Sequence, residues 1–256
     1  MATATRRLAI LFALGALASP MIEAPAGAAV VQTVDLTAKY SKRDRHKARG
    51  GLTLRTTIRI SDDTGGKPPA LTNTTLRFPK GAVVNARYFK TCNPSRLRQR
   101  GVKGCPAGSK IGAGKARGDA RPIIPDVPAK ITLFNGPRIG GNPSIIIYAI
   151  PEISAPIVIQ GPLKRQRSGP YGYVLDIDVP PIPTLPGQPN ASVVFFDATT
   201  LDRTVRRGHR RIHYIEGPVL CAGTFFLLDG SFSYEGGITN TVYERFRLVG
   251  GPRCPR

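Results

Sequence analysis

In the segment from Leu52 to Ile60, the side chains of Leu52, Leu54, Ile58 and Ile60 fall on one face and those of Thr53, Arg55, Thr57 and Arg59 on the other. Only an extended strand sends successive side chains to opposite sides, so a period of two marks a half-buried β-strand. Tyr173, Leu175, Ile177 and Val179 repeat the pattern, with Val174, Asp176 and Asp178 opposite them. Shorter β-branched or aromatic runs extend it to residues 30–37, 72–78, 83–89, 131–134, 145–150, 157–160, 193–196, 212–215, 224–228 and 242–248. Turn signals separate them, including Asp63-Thr64-Gly65-Gly66, Asn135-Gly136-Pro137, Gly140-Gly141-Asn142-Pro143 and Asp229-Gly230. With 28 Gly and 24 Pro in 256 residues, long uninterrupted helices, and with them a helix bundle, are disfavoured. The expected fold is all-β, an antiparallel β-sandwich of jelly-roll or immunoglobulin-like type. One short helix is expected near residues 94–98, where Asn93 can cap and Pro94 takes the first helical position.

The N-terminus has the order of an export signal. Arg6 and Arg7 precede an apolar run over residues 8–18, and small residues follow through Ala29. That run is too short to span a membrane as a helix, which takes roughly 20 residues. We place cleavage after Ala28, with Ala26 and Ala28 meeting the small-residue rule, and read residues 1–28 as a signal peptide and 29–256 as a single all-β domain. The Pro-rich segment 179–189 reads as a stiff crossover between strands; a two-domain alternative would divide the chain near 185. No later stretch is apolar for long enough to suggest a transmembrane segment in the mature chain. Losing two arginines and Glu23 lowers the formal charge only from +21 to +20. Export also favours oxidation of the four cysteines. Four cysteines allow three pairings, and proximity favours Cys92 with Cys105 and Cys221 with Cys254.

Phe78-Pro79-Lys80-Gly81, Asn85, Phe89 and Cys92, then the stretch Cys105-Pro106-Ala107-Gly108-Ser109-Lys110-Ile111-Gly112-Ala113-Gly114-Lys115-Ala116, resemble a pattern in uncharacterised secreted proteins of high-GC actinobacteria. Cys221-Ala222-Gly223 and Phe232-Ser233-Tyr234 resemble a later part of the same proteins. The motifs cover about a third of the chain. The resemblance implies a secreted, disulfide-bonded β protein and carries no reaction with it.

Several constellations bear on chemistry. Gly108, Gly112, Gly114 and Gly118 do not have the spacing of a phosphate loop, because Lys115 is followed by Ala116 rather than Ser or Thr. They read instead as a glycine-rich strand entrance. Asp176 and Asp178 share a strand face at a separation that paired carboxylates use in glycoside hydrolysis, so carbohydrate binding or cleavage is the alternative function. Absence of Trp counts against it, and pairing with nearby cations is the simpler role for those acids. His209 and His213 have the i, i+4 spacing of metal helices but lack the accompanying Glu, and a strand would set them about 13 Å apart. No G-x-S-x-G elbow marks a nucleophile. Catalytic residues, metal ligands and cofactors are therefore not assigned.

Charge is the remaining signal. Residues 39–59 carry eight basic side chains and one acid, residues 87–121 ten and one, and residues 203–211 five and none. Arg96, Arg98, Arg100 and Lys103 in one cluster, and Arg206, Arg207, Arg210 and Arg211 in another, are the candidate contacts for an anionic polymer. Outside a cell such clusters attract anionic envelope polymers or lipid headgroups, in a salt-dependent way. Sequence-specific nucleic-acid recognition is not expected, since no recognition helix is present and the compartment is wrong. The expected function is that of a non-catalytic, envelope-associated structural or binding protein.

Overall fold

The computed structural model describes residues 29–41, 48–220 and 224–249. The proposed signal peptide and the cysteines Cys221 and Cys254 lie outside the described residues. In chain order the strands are β1 (Val30–Tyr40), β2 (Arg49–Asp62), β3 (Leu71–Pro79), β4 (Val83–Val84), β5 (Lys110–Ala120), β6 (Ile124–Ile139), β7 (Asn142–Pro151) and β8 (Ile157–Arg165). They continue as β9 (Tyr171–Asp178), β10 (Ser192–Thr200), β11 (Thr204–Arg207), β12 (Arg210–His213), β13 (Ile215–Pro218), β14 (Phe225–Tyr234) and β15 (Thr239–Val249). One α-helix, α1 (Pro94–Arg100), lies in the first cysteine loop. The all-β antiparallel β-sandwich expected from the alternation is present, with its layers hydrogen-bonded into one closed ring.

Its layers are continuous with one another. Hydrogen bonding runs β1-β15-β14-β3-β9-β8-β7-β6-β5-β10-β2, and β2 pairs again with β1, so eleven strands close into a ring. Every junction is antiparallel except β1 with β15, where Ala38 faces Leu248 and Lys39 faces Val249 in parallel register. Closure satisfies backbone groups that an open sheet would leave as free edges.

The alternation decides which face turns inward. Val34, Leu36, Ala38 and Tyr40 of β1 point into the ring opposite Ile58, Thr56, Leu54 and Leu52 of β2, and all but Leu54 and Thr56 of these are buried. Asp35, Thr37, Arg55 and Arg59 point out. Ion pairs lace the outer face across neighbouring strands: Arg59 to Asp35 at 3.0 Å, Arg55 to Asp197 at 2.8 Å, Arg77 to Asp229 at 2.8 Å and Lys164 to Asp176 at 2.9 Å.

Glycine in β5 lets β10 approach. A Cβ at Gly114 would lie 2.1 Å from the Asp197 carbonyl oxygen and 2.7 Å from Ala198 Cα, both backbone atoms. The glycine-rich run is thus a full central strand, with Ala116 facing Phe196 and Gly114 facing Ala198. Four local expectations need correction. Asp229-Gly230 is not a turn but lies inside β14, where Asp229 pairs with Arg77 and Tyr243 and Gly230 with Leu76 and Val242 on the neighbouring strands. Residues 83–89 form only the short β4 followed by a 3₁₀ turn at Ala86–Tyr88, because Asn85 turns the chain by bonding to β12 and its C-terminal neighbour. Asn135-Gly136-Pro137 sits inside β6 instead of a turn, with the buried Asn135 satisfied by distant groups. Residues 212–215 break into β12 and β13 at Tyr214, whose backbone N–H donates to Arg203.

The register also assigns the two ends of the barrel. The C-terminal ends of β1, β3, β6, β8 and β10 meet the N-terminal ends of β2, β5, β7, β9 and β14 at one end, here called the disulfide end. There α1 packs on the outside of the wall. Leu97, fully buried, joins Cys92, Phe134, Ile146 and Tyr148 in a small apolar cluster separate from the barrel interior. The Asn93 side chain accepts from the backbone N–H groups of Ser95 at 2.9 Å and Arg96 at 3.2 Å, as a cap should. Cys92 and Cys105 form the first expected disulfide and close this loop.

Candidate functional site

The described candidate basic residues all attach to the disulfide end. Arg96, Arg98 and Arg100 project from α1, with Lys103 just beyond, and all four are exposed. Among the described residues none of these four has an ion-pair partner. The second cluster occupies the β11–β12 hairpin, whose strands put Arg206 opposite Arg211 and Arg207 opposite Arg210. Like charges directly across a strand pair destabilise it. Only partial relief is present: Arg210 reaches Glu216 at 3.5 Å, and Arg211 lies in the field of Asp202.

Hydrogen bonds tie this hairpin to the strands that carry the cysteine loop. Arg203 Nε donates to the Lys110 carbonyl at 2.9 Å, and the Leu201 N–H donates to the Ile111 carbonyl at 2.7 Å. Asn85 Nδ2 donates to the His213 carbonyl at 2.9 Å, and the Tyr214 hydroxyl donates to Asn135 Oδ1 at 3.1 Å. Asn135 Nδ2 in turn donates to the carbonyls of Ala86 and Lys90, each at 3.1 Å. The two clusters, far apart in sequence, therefore ride on one bonded framework. Burial raises the Tyr214 hydroxyl pKa, so this network stays neutral.

Acids concentrate elsewhere. Asp62, Asp63, Asp119, Asp126, Glu152, Asp178 and Glu235 lie at or near the opposite end, by the strand register. At the disulfide end the described acids in the loops and short strands are Asp202 and Glu216, and both are engaged. The His213 Nδ1 lies 2.5 Å from Asp202 Oδ1, and this contact, with the Ser41 side chain also bonded, holds the Asp202 carboxyl below its usual range. His213 is buried against Gly51, where a Cβ would sit 2.1 Å from the imidazole. His209 falls in the hairpin turn beside Gly208, so the two histidines do not share a strand face.

The carboxylates Asp176 and Asp178 share one partner, Asn73 Nδ2, at 3.1 and 2.8 Å. Lys164 and then Asn73 hold the Asp176 carboxyl below the usual range against the opposing effect of burial.

Two cavities complete the site. The barrel interior encloses about 250 Å³, with walls drawn from nearly every strand and almost wholly apolar. Beside it at the disulfide end is a cleft of about 600 Å³ lined by Asn85, Arg87, Arg138, Asn142 and Arg165, among others. Val84 and Tyr173 belong to both walls. Sequence reasoning placed Arg87 within a basic run but gave no signal for Arg138 or Arg165. Arg138 stands alone in the chain and Arg165 lies in the short basic run Lys164-Arg165-Gln166-Arg167, and only the pairing of β6, β7, β8 and β9 brings the two together.

No protein-family model matches the chain, and no curated protein matches it either. No helix among the described residues is long and apolar enough to cross a membrane.

Proposed function

We propose that the protein is an exported, non-catalytic binding protein of the cell envelope that engages anionic envelope polymers or lipid headgroups through its disulfide end. The observation that carries this reading is the facing of Arg206 with Arg211 and Arg207 with Arg210 on a ribbon tied to the same barrel end that carries the α1 cations, which have no ion-pair partner among the described residues. Such a hairpin costs stability in the free protein, and a bound anion relieves that cost. The Cys92–Cys105 bond supports an oxidising compartment, and the N-terminal pattern supports export.

The test is co-sedimentation with anionic vesicles or wall fragments while NaCl is raised. Retention is expected at low salt and release by about 0.5 M, where the screening length is only a few Å. Changing Arg206 and Arg207 together to Gln should weaken retention while leaving thermal stability equal or higher. Retention unchanged by salt, or by this double substitution, would overturn the proposal.

A further inference from the structure

We propose that the barrel is a receptor for one single-chain anionic amphiphile, with its alkyl tail in the apolar interior and its carboxylate or phosphate head in the arginine cleft. This deepens, and rests on, the reading of the molecule as a binding protein. A barrel of about eight strands is just filled by its own side chains, whereas this ring has eleven. The extra circumference leaves the cavity of about 250 Å³, bounded by side chains such as Leu36, Ile58, Leu76, Ile147, Leu175 and Phe196. Apolar cavities of on the order of 150 Å³ already stay dry and accept hydrocarbon guests.

The head site is of opposite character. Arg87, Arg138 and Arg165 are exposed, have no ion-pair partner among the described residues, and share the cleft with the carboxamides of Asn85 and Asn142. Among the described residues no Asp or Glu lines the cleft. Arg87 is steadied over the Tyr88 ring at 4.7 Å, and Arg138 Nε donates to the Gly141 carbonyl at 2.7 Å. Guanidinium groups so placed suit a carboxylate or phosphate. Val84 and the half-buried Tyr173 stand between the two compartments, contributing to both walls, and the exposed Lys80 also borders the apolar cavity. An apolar chamber that shares two wall residues with a cationic cleft matches a molecule with one end of each kind.

Size selects a single chain. A methylene takes about the space of a water molecule, on the order of 30 Å³. About 250 Å³ therefore holds roughly eight or nine methylenes, enough for one short tail and too few for two long ones.

Isothermal titration of the oxidised protein with hexanoate, octanoate, decanoate and dodecanoate, all below micelle formation, tests this directly. Burial predicts roughly fourfold tighter binding per added methylene up to about nine carbons, then a plateau. Dodecyl phosphate should bind as dodecanoate does, dodecanol at least tenfold more weakly and dodecyltrimethylammonium more weakly still. Changing Arg87, Arg138 and Arg165 together to Gln should remove the preference for the anion and leave dodecanol binding unaltered. Ile147→Phe, narrowing the chamber, should weaken all of them, with a retained melting transition showing that each variant is folded. Lack of chain-length dependence, equal binding of the cationic amphiphile, or indifference to both variants would overturn the inference. Retention on anionic vesicles without uptake of free decanoate would refute the receptor while leaving envelope docking intact; uptake without retention would do the reverse.

Discussion

Gly114 and Gly118 lie four residues apart in β5, and alanine at the two positions should change stability in opposite directions. At Gly114 the added methyl meets the Asp197 carbonyl oxygen at 2.1 Å and Ala198 Cα at 2.7 Å. Both are backbone atoms of the neighbouring strand, so no rotamer change relieves the overlap and the β5–β10 ladder must separate. Overpacking of this kind costs about 1–3 kcal/mol. At Gly118 the nearest atoms are the Ser192 carbonyl oxygen at 3.5 Å and Val127 at 3.9 Å, which is ordinary contact. Alanine there removes freedom from the unfolded chain and stabilises by about 0.4–1 kcal/mol. For a chain of this size 1 kcal/mol moves the melting temperature by about 2–4 °C. Gly114→Ala should therefore lower it by about 2–12 °C and Gly118→Ala raise it by about 1–4 °C, read by scanning calorimetry on matched samples. If Gly114→Ala proves at least as stable as Gly118→Ala, the close approach of β5 to β10 is not what shapes this wall.

Other consequences follow from the outer face and the disulfide end. The Arg55 hydrogen bonds hold the Asp197 carboxyl below its usual 3.8, as Lys164 does for Asp176 and Arg117 for Asp126. Depressed carboxyl values stabilise the fold above the unfolded value and lose that contribution as pH falls through the folded ones. The melting temperature should thus hold down to about pH 5 and decline below about pH 4; a decline centred above pH 5 would assign acid sensitivity to other groups. Tyr214→Phe removes the bond to the buried Asn135 and should cost about 1 kcal/mol, measured by denaturant titration with an unchanged m-value. Replacing Cys92 and Cys105 by Ser opens a loop with a sequence separation of 13 and should cost about 3 kcal/mol in the chain-entropy account. An unchanged midpoint would show that Leu97 packing alone holds α1 to the wall.

Strand positions were legible where the chain alternates strictly, as in β1, β2, β3 and β9, because exposure on one face and burial on the other leaves a period that neighbouring residues share. The capped helix was legible for the same local reason, since Asn93 and Pro94 act within one turn. Legibility failed where distant groups override local preference. Asn135-Gly136-Pro137 has turn chemistry, yet Asn135 is held in β6 by Ala86, Lys90 and Tyr214. The β11–β12 hairpin was missed because its four arginines resemble a solvated loop more than a strand pair.

Residue order alone determined the β class, the direction each strand faces and the grouping of cations along the chain, and by proximity it favoured Cys105 as the partner of Cys92. Tertiary structure decided that β1 joins both β2 and β15, that the resulting ring holds an apolar chamber, and that Arg87, Arg138 and Arg165 border one cleft. Periodicity and caps act over a few residues and so leave a trace in sequence. Ring closure and the meeting of arginines distant in sequence depend on which strands pair across long stretches of chain, and that choice is made by the whole set of interlocking faces at once.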